Sequence, residues 1–129
     1  MSKKETPLTR KYWQEIGGTL IEEFLMVPKG KNNGARLIDA IIIPNEETKI
    51  LNQKEINLKG KDIIAVQTKA NRLGMYLMGQ TLFSEQLLKK YHNPKSIVSV
   101  ALCTKDDSVL RPLLEKYQNI KVIIINTDS

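Results

Sequence analysis

Apolar residues recur along this chain in two rhythms, one near the helical period and one of unbroken β-branched runs. From Thr9 to about Met26, the residues Tyr12, Trp13, Ile16, Leu20, Phe24 and Val27 fall close to helical spacing. That spacing predicts a leading helix capped by Thr9, with Gly17-Gly18 inside it and Pro28-Lys29-Gly30 ending it. Lys31-Asn32-Asn33-Gly34 reads as a turn. Arg36–Ile43 is a β-branched run closed by Pro44-Asn45, hence a strand. Residues 45–60 are polar and loop-like, with a short strand expected near Ile56–Leu58, and Lys61–Lys69 is a second strong strand. Gly74 to about Tyr91 offers a helical stripe of Met75, Leu77, Met78, Leu82, Phe83, Leu87 and Leu88, which Asn93-Pro94 breaks. Ile97–Cys103 is a third strand. Asp106 or Asp107 can cap a short helix ending near Tyr117, and Ile120–Ile125 is the last strand.

The order is therefore α, β, β, α, β, α, β. No helix fits between the two early strands, so they should pair antiparallel, whereas the helix-separated later strands imply right-handed parallel crossovers. The expected architecture is one α/β domain over 1–129, a mixed four- to five-stranded sheet flanked by helices.

Composition narrows the picture. With 129 residues, 41% hydrophobic and 26% charged, the chain is ordinary for a globular domain with one core. Only 5% are aromatic, so Ile, Leu and Val must fill that core. A formal charge of +6 favours a polyanionic partner. The one cysteine, Cys103, excludes an internal disulfide and reads as a small buried residue. No stretch approaches the ~20 apolar residues of a bilayer span. The opening Met1-Ser2-Lys3-Lys4-Glu5 has no apolar signal segment, so a cytoplasmic location is expected.

Candidate chemistry lies on the two early strands. Asp39 interrupts an apolar run, and a carboxylate there needs a solvent opening, a partner or a metal. In Gln67-Thr68-Lys69 the side chains alternate, so Gln67 and Lys69 share a side, about 7 Å apart. If the strands pair, a carboxylate, an amide oxygen and an ammonium converge. Mg²⁺, with Mn²⁺ as a substitute, takes such hard oxygen ligands. It can lower the pKa of a bound water and stabilise charge on a phosphodiester, while Lys69 neutralises the transition state. The competing reading makes Asp39 an ordinary ion-pair partner of Arg36 or Lys69.

Asp39 on one strand and Gln67-Thr68-Lys69 on the next resemble the PD-(D/E)xK nuclease superfamily, whose pattern is an aspartate followed by (E/Q)xK. The order of elements is similar too, from about Thr9 to Ile125. The resemblance implies a restriction-endonuclease-like core and a Mg²⁺-dependent DNA endonuclease, with Asp39, Gln67 and Lys69 in the site. In many members a glutamate on the leading helix also reaches the metal. At about 100° per residue, Ile16, Leu20, Phe24 and Val27 define the inward stripe, with Glu23 at its margin and Glu22 nearly opposite. Glu23 is therefore the expected third ligand and Glu22 a solvated one. Gln80, on the helix after the (E/Q)xK strand, is a candidate contact to phosphate or water. Arg36, Lys29, Lys31 and Arg72 flank the site as candidate DNA contacts. The chain departs from the pattern in lacking a proline before Asp39 and in carrying Gln67 where an acid is usual. Losing that charge opens the alternative of an inactive nuclease-fold module that binds DNA or a protein partner. Cutting both strands of a duplex would be simplest for a homodimer or a subunit of a larger nucleic-acid complex. His92 reads as a helix-terminal surface residue without zinc partners, and Asp106-Asp107 as a cap.

Overall fold

The computed structural model describes residues 2–126. A first helix, α1 (Glu5–Ile16), begins in a reciprocal box: the Glu5 amide donates to Ser2 Oγ at 3.3 Å, and the Ser2 amide donates to Glu5 Oε1 at 3.1 Å. It stops at Gly17 and Gly18, whose φ values of 75° and 88° only glycine adopts freely. The chain then enters β1 (Thr19–Val27), followed by β2 (Arg36–Ile43), a two-residue β3 (Lys49–Ile50) and β4 (Asp62–Arg72). The second half is α2 (Met75–His92), β5 (Ser96–Lys105), α3 (Leu110–Leu114) and β6 (Ile120–Ile124).

The expected helix over Thr9–Met26 is thus corrected to a shorter helix and a strand. Two consecutive glycines each cost about 1 kcal/mol in a helix, and β1 finds a better partner in the sheet. Gly17-Gly18 lies at the helix end, not inside it, and Thr9 is a buried residue within α1, not its cap. The short strand expected at Ile56–Leu58 is absent; a 3₁₀ turn at Gln53–Glu55 precedes that segment, and Leu58 packs into the core instead. The other elements fall where the pattern placed them, apart from an α3 only five residues long. Asp107 does cap its entry, accepting the Val109 and Leu110 amides at 3.0 and 2.9 Å.

The sheet has six strands in the order β3-β1-β2-β4-β5-β6. β1, β2 and β4 form an antiparallel meander, as expected for β2 and β4, while β4, β5 and β6 run parallel through α2 and α3. Helix α1 covers one face, packing Leu8 and Tyr12 on Leu20, Ala40, Ile42, Val66, Val100 and Leu102. On the other face Leu77 and Leu88 of α2, with Leu114 of α3, close over two further clusters. The central strands are buried on both sides and therefore read as continuous apolar runs.

At the β3 edge, Gln53 imitates a strand. Its amide nitrogen donates to the Leu25 carbonyl at 2.9 Å, and its amide oxygen accepts the Leu25 N–H at 2.7 Å. No helix among the described residues is long and apolar enough to cross a membrane.

One irregularity positions the candidate site. On β2, Ile38 packs with Ile41 and Ile43 on the α2 face, although strand alternation would put residues 38 and 41 on opposite sides. On β1, Ile21 and Phe24 likewise share that face. Both strands therefore switch faces between these positions. Glu23, whose φ of 51° is left-handed, and Asp39 occupy the gap in register between Glu22↔Ala40 and Phe24↔Ile38. The pairing of β2 with β4 runs from Ile42↔Ile64 to Ala40↔Val66 and goes no further. Asp39 is thus the first residue past the end of the ladder.

Gly18 tests the turn that ends α1. A Cβ there would lie 2.5 Å from the Ile43 carbonyl oxygen and 2.9 Å from Pro44 Cα, in a left-handed backbone. Gly18→Ala is expected to cost more than about 2 kcal/mol, read as a lower denaturation midpoint at unchanged m-value.

Candidate functional site

Where the β2–β4 ladder ends, a side chain takes over. Asp39 Oδ2 accepts the Thr68 backbone N–H at 2.7 Å, replacing a strand carbonyl. Thr68 points to the α1 side, where its hydroxyl meets that of Thr9 at 2.7 Å in a buried contact. The Thr9 hydroxyl also donates to the Glu5 carbonyl at 3.1 Å, so Thr68 is the donor between the two hydroxyls. A chain of contacts, Glu5–Thr9–Thr68–Asp39, fixes the first turn of α1 to the opening between β2 and β4.

Asp39 is half-buried, and its carboxyl is held above the ordinary value of 3.8. Burial is the main cause, opposed by the Thr68 N–H and by the charge of the amino terminus; the like charge of Glu5 adds a little to the rise and the Lys69 ammonium takes a little from it. Asp39 Oδ1 takes no hydrogen bond among the described residues. Lys69 is exposed and forms no ion pair among them. The charges of Glu5 and Lys69 both act on the Asp39 carboxyl.

The expected set does not come together as a whole. The charge of Lys69 acts on Asp39, but strand alternation puts its side chain on the Gln67 side of β4. Gln67 lies away from Asp39: it is 3% exposed and donates from its amide to Ser84 Oγ on α2 at 2.7 Å, on the face opposite α1. The register does set Asp39 across from Gln67, but the face switch at Asp39 turns its carboxylate toward Thr68 and the α1 side. Glu23 is not on the leading helix, although the register of β1 and β2 sets it opposite Asp39. It lies on β1 and is exposed, lining a cavity of about 500 Å³ with Glu22, Ile50, Leu51, Asn52 and Gln53. Glu22 is not a solvated residue: Arg10 of α1 grips both its oxygens at 2.7 and 3.1 Å. Among the described residues no three His, Cys, Asp or Glu side chains are grouped to hold a metal.

Among the acids of the leading helix, Glu5 is the one whose charge acts on Asp39, while its own Oε1 accepts the Ser2 amide. Apolar spacing hides it, because the stripe begins beyond it. The signal was the Ser2-Lys3-Lys4-Glu5 capping box, which marks a start seven residues earlier.

Gln67 serves a second cavity, of about 340 Å³, between α2 and the ends of β1 and β2. Gln67 and Ser84 are among the buried residues lining it, and Met26, Arg36, Leu37, Tyr76, Gly79, Gln80, Phe83 and Leu87 complete the wall. Arg36 and Gln80, expected as DNA contacts, meet here. Lys29 and Lys31 are exposed in the β1–β2 loop. Arg72 is exposed at the end of β4, where its guanidinium donates to the Asp106 carbonyl at 2.6 Å.

Other polar residues have structural roles. Glu85 of α2 is buried and accepts Ser99 Oγ at 3.0 Å and the Asn119 amide, tying α2 to β5 and to the loop before β6. His92 packs edge-on to Phe24, with Nε2 2.8 Å from the Met26 carbonyl, so it is partly buried and not a surface residue. Cys103 is fully buried as expected, and burial pushes its thiol up to about 11, which leaves it unreactive. No protein-family model, no curated protein and no solved structure matches the chain.

The raised Asp39 pKa has a definite sign in stability. Between 3.8 and its higher folded value the native state binds more protons than the unfolded chain, so stability falls as pH rises through that window. Asp39→Asn keeps an acceptor for Thr68 and carries no charge. It is expected to equal or exceed the parent in stability at pH 7 without divalent ions, with the difference closing below 3.8, measured by denaturation across pH.

Proposed function

We propose that the chain is a metal-dependent DNA endonuclease that hydrolyses phosphodiester bonds at the Asp39–Glu5–Lys69 place. The observation that carries this is the state of Asp39: a half-buried carboxylate with a raised pKa, one oxygen on the Thr68 N–H and the other without a hydrogen bond among the described residues, where β2 and β4 part. A carboxylate so placed gains from a cation. Mg²⁺ needs only one or two carboxylates and keeps several waters, so Asp39 could hold it with the negative charge of Glu5 acting on the same place. A bound Mg²⁺ or Mn²⁺ supplies Lewis acidity to the phosphate and acidity to a water.

The chain's own groups do the rest. Thr68 holds Asp39 through its N–H, and Thr9 holds the first turn of α1, so both carboxylates are preorganised. Lys69 brings an ammonium to offset charge that grows on the phosphate. Lys29, Lys31 and Arg36 give the polyanion an electrostatic track that is independent of sequence. The resemblance to PD-(D/E)xK nucleases, through Asp39 and Gln67-Thr68-Lys69, supports the same reading, as does the antiparallel pairing of the two strands that carry them. Gln67 is reassigned from the metal to the wall of the α2 cavity.

Gln67 also favours a second reading. An amide committed to Ser84 in place of an acid suits a nuclease-fold module that binds DNA without cutting it.

The two readings separate in one assay. Purified protein should nick or cut DNA with Mg²⁺ or Mn²⁺, and Asp39→Asn or Lys69→Ala should slow this on the order of 100-fold or more. Glu5→Gln should slow it by about tenfold, because a neutral amide binds a cation less well than a carboxylate. Glu23→Gln should leave it unchanged. Mg²⁺ should raise the Tm of the parent and not of Asp39→Asn. DNA binding with no cleavage and no Mg²⁺ shift would establish the second reading.

A further inference from the structure

The outer surface of α2 carries an exposure that its fold does not require. Tyr76 and Phe83 are 74% and 70% exposed, and both line the 340 Å³ cavity. Seven residues apart, they lie on one helix face roughly 10.5 Å from each other. Between them stands Gly79. A Cβ on Gly79 would meet nothing within 4 Å, so neither packing nor backbone conformation demands glycine there. A helix-interior glycine nonetheless weakens the helix. What it provides is an unobstructed floor between two rings.

The lining chemistry selects the occupant. None of the ten lining residues is acidic, and Arg36 is among them. Gln80 presents an amide that can hydrogen-bond the edge of a heterocycle, while Gln67 and Ser84, bonded to each other, form the buried back of the wall. The cavity is near the lower end of the roughly 300–1,000 Å³ range of small-ligand sites. Gln67 is two residues from Lys69 on β4, about 7 Å along the same side, so Lys69 is near enough to meet a phosphate of a nucleotide held in the cavity. An acid-free wall with Arg36 beside two exposed rings suits a stacked base and its phosphate better than a peptide or a second copy of this chain.

We propose that this cavity takes an unpaired nucleobase, with Tyr76 and Phe83 stacking on it and on its neighbour, so that the substrate is single-stranded or locally unpaired nucleic acid. The proposal rests on the nucleic-acid reading of the Asp39 site but not on cleavage. Stacking on aromatic rings is sequence-tolerant, whereas a paired base keeps its faces inside the duplex.

The experiment is equilibrium binding in EDTA, by fluorescence anisotropy, of a short labelled single-stranded DNA and of a blunt duplex carrying the same sequence. Tyr76→Ala and Phe83→Ala should each weaken single-strand binding on the order of tenfold. Duplex binding, held by phosphate contacts, should move by less than roughly twofold. Phe83→Tyr should restore most of the loss. Gly79→Leu should weaken single-strand binding while holding or raising Tm, a combination that unfolding cannot produce. Unchanged single-strand binding in the alanine variants would overturn the proposal, as would equal losses on both DNAs. So would a parent dimer that Phe83→Ala splits into monomers without loss of binding, which would make a second copy the occupant. Because metal is absent throughout, a missing nuclease activity leaves this outcome intact. Conversely, Asp39-dependent cleavage that ignores Tyr76 and Phe83 would sink the cavity assignment alone.

Discussion

The hydrogen bond from the Thr68 amide to Asp39 Oδ2 holds open the gap from which the rest of the site follows. Strands pair by exchanging backbone groups, and an unpaired amide inside a sheet is costly. By accepting that amide with a side chain, Asp39 lets β2 leave β4 without stranding a donor. Where the strands part, Thr68 turns its hydroxyl to Thr9 of α1, and the second oxygen of Asp39 takes no hydrogen bond among the described residues. A neutral acceptor would satisfy Thr68 as well and would avoid burying charge. An ionisable group at this position therefore costs stability when charged.

The two faces of the sheet are tied to this opening by different means. On one, the hydroxyls of Thr9 and Thr68 join α1 to β4, so the helix cannot slide along the sheet without breaking a buried contact. On the other, Gln67–Ser84 and Glu85–Ser99–Asn119 pin α2 to β4, β5 and the loop before β6. Buried polar pairs of this kind add little net stability, but mismatching them is expensive, so they set one arrangement of helix on sheet. A site shared between α1 and β4, beside a cavity shared between β4 and α2, needs that arrangement.

Much of this was legible in the sequence. Arg36–Ile43 and Lys61–Lys69 are uninterrupted enough to be strands whatever surrounds them, and a lone aspartate in such a run stands out. Thr19–Val27 was not legible as a strand. Buried on both faces, with Leu20 and Ile21 both fully inaccessible, it shows no alternation, and its spacing fits a helix equally well. Gly17-Gly18 carried the missing information. Moving the helix start back to Ser2 would have exchanged Glu23 for Glu5. The divergence of Asp39 from Gln67 could not be read at all: the register places them together, and only a face switch shared by two strands separates them. That switch depends on pairing between β1 and β2, a non-local property.

The imitation of a strand by Gln53 bears on assembly. A sheet edge with free amides and carbonyls invites another chain to add to it, and proteins commonly block such edges. Here one glutamine satisfies both backbone groups of Leu25, and the two-residue β3 covers Thr19 and Leu20. Continuous growth of the sheet past β1 would first have to evict that side chain. Any association between copies is thereby steered to β6 or to the helical layers, and fibre-like stacking through the β1 side is discouraged by one amide.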